Sequence, residues 1–100
     1  MKTYEKLVRD GIPDLLDEKG IPYEKRIASD AEYRKELVKK LMEEAAEFAE
    51  AAAPEELADV LEVIEALRKL PEYANVETLR LAKRDERGSF EKRIILKGEK

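Results

Sequence analysis

The chain contains no cysteine, no histidine and no glutamine, and its single asparagine is Asn75. Without cysteine there is no disulfide and no thiolate metal site, and without histidine there is no imidazole to ligate a metal or accept a proton near neutral pH. Any catalysis therefore rests on carboxylates, Lys, Arg, Tyr or a hard metal ion. Long apolar runs are missing too. None approaches the ~20 residues that a membrane span needs, and the opening MKTYEKLVRD carries no apolar signal segment. The expectation is a cytoplasmic protein with no membrane partner. A net charge of −4 argues against duplex nucleic acid as a partner. Scarce amide side chains alongside heavy Glu and Lys usage are the composition of a heat-adapted, thermophile protein.

What is present is apolar and charged in nearly equal measure, 43% and 44% of 100 residues. That length predicts one domain, residues 1–100. Pro13, DLLDEK and then Gly20 predict a short helix with proline in its first turn and glycine past its end. IPYEKRIA at 21–28 predicts a short strand, and Ser29 or Asp30 then offers an N-cap for a long helix to about Ala52. Tyr33, Leu37, Leu41, Phe48 and Ala52 give that helix its apolar stripe, with Glu36 and Lys40 as an i,i+4 pair. Pro54 opens a second helix whose Leu57, Val60, Leu61, Ile64, Leu67 and Leu70 share a face, and Pro71 ends it. So short a connection predicts an antiparallel helical hairpin. A further helix is expected over 76–84, and SFEKRIILKG after Gly88 reads as a strand able to pair with 21–28. The fold class is mainly α, with a small peripheral β element. One hairpin offers more apolar face than these pieces cover, so its expected state is a homodimer forming a four-helix bundle, or a dimer of dimers.

One stretch breaks the mixing of charges. From Glu43 to Glu65 there are nine carboxylates and neither Lys nor Arg. With about 100° per residue, Glu44 and Glu47 fall on one flank of the first apolar stripe, while Glu43 and Glu50 point to solvent. In the second helix Glu56 and Asp59 share a flank. A hairpin can bring these four together at the edge of its interface. Like charges about 4 Å apart repel by about 4 kcal/mol at an effective dielectric of 20. With no base inside the stretch, a hard divalent cation, Mg²⁺ or Mn²⁺, is the expected compensation. The plain alternative is a solvated acidic face, since ExxE spacings are common on surface helices.

Glu43-Glu44-x-x-Glu47 followed by Glu56-x-x-Asp59 resembles the EExxE…ExxD signature of the all-α, MazG-like nucleotide pyrophosphohydrolases. That superfamily includes phosphoribosyl-ATP pyrophosphohydrolase and dimeric dUTPases. YEKLVRDGIPDLL at 4–16, ADVLEVIEAL at 58–67 and KRDERGSF at 83–90 are similar to further blocks of a small KLVRDxIP-type subgroup. The resemblance implies Mg²⁺-dependent hydrolysis of a nucleoside triphosphate to the monophosphate and pyrophosphate. It implies Glu44, Glu47, Glu56 and Asp59 as metal ligands, with Glu43 orienting a ligand or the attacking water. It also implies Lys6, Arg9, Lys83 and Arg87 as contacts to the phosphates of the nucleotide substrate.

The chain departs from that pattern in three places. The spacing from Glu47 to Glu56 is short, Gly11 replaces a frequent base, and Ser89 stands where a second glycine is common. The last two bear on phosphate and base contacts rather than on metal. Two other readings fit the same residues: phosphoribosyl-ATP pyrophosphohydrolase activity, and a non-catalytic helical interaction or dimerisation module.

Overall fold

The computed structural model describes residues 4–99. Among them are four α-helices and no strand. Two compact units divide the chain at Leu67, Met1–Leu67 and Arg68–Lys100.

In the first unit, α1 (Ile12–Glu18) has proline in its first turn, where a missing N–H costs nothing. It closes on Gly20 at φ +69°, with Gly20 N–H donating to Asp17 O and Ile21 N–H to Leu16 O. This pair of bonds is a Schellman stop, and the left-handed position suits glycine. α2 (Asp30–Ala51) starts at Ser29, whose Oγ accepts from Glu32 N–H at 3.2 Å. The choice between Ser29 and Asp30 thus falls to Ser29. α2 stops at Ala52, which adopts φ 51° and donates its N–H to Phe48 O at 2.7 Å. After Ala53, α3 (Pro54–Arg68) begins with its proline. A link of two alanines allows only the antiparallel hairpin that the apolar stripes predict.

Segment 21–28 forms no strand. Its side chains tie it down instead: Tyr23 hydrogen-bonds Asp17, and Arg26 donates to Glu5 and Glu32, each at 2.7 Å. Leu37 and Val63 are the buried apolar residues of this unit among those described, whereas Val38 and Met42 on α2 and Leu57 and Leu61 on α3 are exposed. Both helices of the hairpin therefore carry apolar side chains that this unit leaves uncovered.

The second unit contains a short 3₁₀ turn, Pro71–Tyr73, preceded by buried Leu70, and then α4 (Val76–Arg87). α3 ends two residues before the expected Leu70, and α4 runs three past the expected 84. Arg84 and Arg87 in its last turn favour that extension by facing the negative end of the helix dipole. The expected strand after Gly88 is not formed among the described residues. Arg93 N–H closes a turn onto Phe90 O at 3.2 Å, and Arg93 takes φ 59°, which breaks an extended run. Two-stranded ribbons are marginal without a third strand or a packed helix. No helix of the described residues is long and apolar enough to cross a membrane.

The two ends of α2 yield opposite expectations, both measured by thermal unfolding in EDTA. Ser29→Ala removes the cap and costs about 1 kcal/mol, lowering Tm by roughly 4–8 °C for a chain of this size. Ala52→Gly relieves a left-handed alanine and stabilises the protein by about 0.5 kcal/mol.

Candidate metal centre

Glu56 and Asp59, three residues apart, share a face of α3 near its N-terminus. α2 delivers Glu44 to the same place. One carboxylate oxygen from each of the three lies within 4.8 Å of the others. Hard cations bond oxygen at about 2.0–2.6 Å, so trans ligands stand about 4–5 Å apart and these oxygens are already at coordinating separation.

Glu44 distinguishes the group from a solvated acidic face. It is 8% exposed, and its Oε2 is buried without a hydrogen-bond partner. A buried polar atom left unpaired costs about 1–3 kcal/mol, and more when charged. Burial pushes the Glu44 carboxyl above its ordinary range. The neighbouring Glu47 carboxylate adds to this through its charge and hydrogen bonding, and Asp59 contributes in the same direction. Lys40, whose Nζ is 3.5 Å from Glu44 Oε1, opposes the shift without reversing it. A donor set of carboxylates alone, one of them with a buried and unpartnered oxygen, could hold a metal ion that prefers oxygen ligands.

The structure brings together three of the four expected ligands. Glu47 stands beside Glu44 but is exposed and outside the three-carboxylate group. At three residues on, it is rotated about 60° from Glu44 around the helix, enough to leave it in solvent. Glu50 is exposed, as its helical angle predicts.

Glu43 is a correction. Expected to face solvent, it is half-buried and held by two ammonium groups, with Lys6 Nζ at 3.3 Å and Lys40 Nζ at 3.5 Å. Partial burial raises its pKa, but the two lysines outweigh burial and hold Glu43 below the usual carboxylate range.

A second correction concerns the bases. Although none lies within the acidic stretch, bases reach its motif acids from outside. Arg9 Nη2 donates to Asp59 Oδ1 at 2.7 Å, Lys6 reaches Glu43, and Lys40 leans on both Glu43 and Glu44. Lys40 was assigned on sequence to Glu36, whose partner is instead Lys39 at 3.5 Å. Its position three and four residues before Glu43 and Glu44 was the available signal. Lys83 and Arg87 lie exposed on α4.

Comparison of the chain with models of protein families, with curated proteins and with solved structures finds no match. The functional reading therefore rests on the motif residues and on the geometry of the carboxylates.

The shifts generate a pH signature in EDTA. An acid with a raised folded-state pKa binds its proton more tightly when folded, so stability falls as pH rises through the window above the ordinary value of 4.5. Wild type should lose stability through this group as pH rises above 4.5, while Glu44→Gln removes that loss and is the more stable protein at neutral pH. Below 4.5 the sign reverses. Glu43, Glu32 and Glu77 have lowered values, and their contribution disappears as pH falls through them. Chemical unfolding at a series of pH values checks both limbs.

Proposed function

We propose that the chain is a Mg²⁺- or Mn²⁺-dependent nucleotide pyrophosphohydrolase of the MazG-like kind, cleaving a nucleoside triphosphate to the monophosphate and pyrophosphate. The observation that carries this reading is the buried, unpartnered Glu44 Oε2 in a group with Glu56 and Asp59. The motif resemblance supplies the reaction class.

A divalent ion held by Glu44, Glu56 and Asp59 supplies charge neutralisation of the phosphates and acidification of water. The chain's own residues do the rest. Glu43, kept ionised by Lys6 and Lys40, is available to orient a water and accept its proton. Glu47, beside Glu44, would be the fourth ligand. Lys6 and Arg9 already stand at the carboxylates, where they can meet the negative oxygens of a phosphate chain. Lys83 and Arg87 are proposed phosphate contacts on the motif resemblance alone.

We assign the exposed Val38, Met42, Leu57 and Leu61 to an interface with a second copy, the paired hairpins forming a four-helix bundle. A second reading, a non-catalytic helical interaction module, draws on the same apolar face. It also draws on the Arg9–Asp59 and Lys6–Glu43 pairs, which offset acidic charge without a metal.

Release of pyrophosphate from a panel of nucleotides with Mg²⁺ separates the readings. Glu44→Gln and Asp59→Asn should each abolish turnover, whereas Glu50→Gln should retain it. Release from no nucleotide, or undiminished release by Glu44→Gln, contradicts the enzymatic reading. Binding alone has its own readout. Mg²⁺ at a hundredfold excess over its dissociation constant stabilises the fold by about 2.7 kcal/mol, and Na⁺ at matched ionic strength should not reproduce this. Light scattering at micromolar concentration should return a dimer or a dimer of dimers, and Leu61→Glu should shift it toward the monomer.

A further inference from the structure

The N-terminal segment, residues 4–9, has no regular secondary structure, yet two of its side chains land on the acidic motif. Arg9 and Asp59 are 50 positions apart, and Lys6 and Glu43 are 37 apart. Arg9 is the more pointed case, because its partner belongs to the three-carboxylate group and its contact is short, 2.7 Å. Both members of the pair are substantially exposed, 55% and 40%. A pair that open to water holds weakly and exchanges easily. Leu7 and Val8 between the two cations are half-buried, whereas the Arg9 side chain stands largely in water.

We infer that Arg9 is an electrostatic interlock between cation and anion at this site, an inference resting on the metal reading above. Arg9 holds Asp59 when no divalent ion is bound. A divalent ion gathering Glu44, Glu56 and Asp59 repels the guanidinium and withdraws the charge it was paired with. The freed guanidinium then meets the phosphate chain of the incoming ligand bidentately, a geometry that suits Arg better than Lys. The order of events follows from charge alone. Metal binding converts Arg9 from a partner of the protein's own carboxylate into an anion receptor, so the phosphate ligand is captured only at a loaded site. Among the described residues, the bases placed at the five motif acids are Lys6, Arg9 and Lys40. Turning Arg9 outward deepens the negative charge that holds the ion.

The interlock makes opposite demands on two affinities, which a purely structural ion pair does not. Mn²⁺ binding to the full chain, followed by electron paramagnetic resonance, should be on the order of tenfold tighter in Arg9→Gln than in wild type. That is the factor a unit charge about 5 Å from a divalent ion produces at water-like dielectric. Inorganic triphosphate binding at saturating Mn²⁺, followed by calorimetry, should be weaker in Arg9→Gln by a similar factor. Arg9→Lys keeps the charge and should leave Mn²⁺ affinity within about twofold of wild type, and circular dichroism confirms that both variants fold.

Mn²⁺ affinity that is unchanged or weakened in Arg9→Gln overturns the interlock, since Arg9 would then merely position Asp59. Equal triphosphate affinity in wild type and Arg9→Gln overturns it as well. Failure of wild type and both variants alike to bind Mn²⁺ sinks the metal reading itself, a separate result from the other two.

Discussion

Everything distinctive in this protein turns on one desolvated carboxylate. Glu44 sits in the interface of a helical hairpin with one oxygen unpartnered, close to two further acids from the facing helix. Like charges within 4.8 Å of one another repel by about 3.5 kcal/mol or more at an effective dielectric of 20. In a fold with few buried residues, that is a large fraction of the stability a small domain has available. An arrangement so costly calls for a countercharge. Lys40 gives only a partial answer, at a long 3.5 Å and on the other oxygen.

The hairpin is what enforces the arrangement. Two alanines join α2 to α3, so residues before and after the turn are obliged to face one another. Glu56 and Asp59 then meet Glu44 whether or not the charges favour it. The chain answers with bases recruited from its N-terminal segment, Lys6 on Glu43 and Arg9 on Asp59. Excluding Lys and Arg from the acidic stretch leaves Glu47, Glu56 and Asp59 with no base three or four residues away along their helices, whereas Glu44 has Lys40. The countercharge thus comes mainly from side chains that can leave.

The apolar surface of the first unit follows a related logic. Leu37 and Val63 are enclosed, while Val38, Met42, Leu57 and Leu61 are not. A helix pair has two sides, and these four large apolar side chains of the hairpin stay in water. The large exposed residues of the hairpin are therefore a property of its topology, independent of the acids at its edge.

The sequence by itself determined the helices, their caps and the acidic pattern. Gly20 as a stop, a cap at Ser29 or Asp30, Pro54 as a first residue and the stripe of α2 depend on contacts within a few residues, which spacing encodes directly, whereas α3 buries Val63 and leaves Leu57 and Leu61 of its expected face exposed. The pairing of Glu44 with Glu56 and Asp59 was legible for the same reason, because a short turn makes a distant contact nearly local. Tertiary structure alone decided which acid is buried, that Glu47 stays outside the group, and that Glu43 is gripped by two lysines. It decided that Arg9 reaches Asp59 across 50 positions, and that 21–28 and the segment after Gly88 form no strand among the described residues. Those outcomes depend on which surfaces meet and on how much water each charge retains. No periodicity along the chain records either quantity, because both are set by atoms far away in sequence.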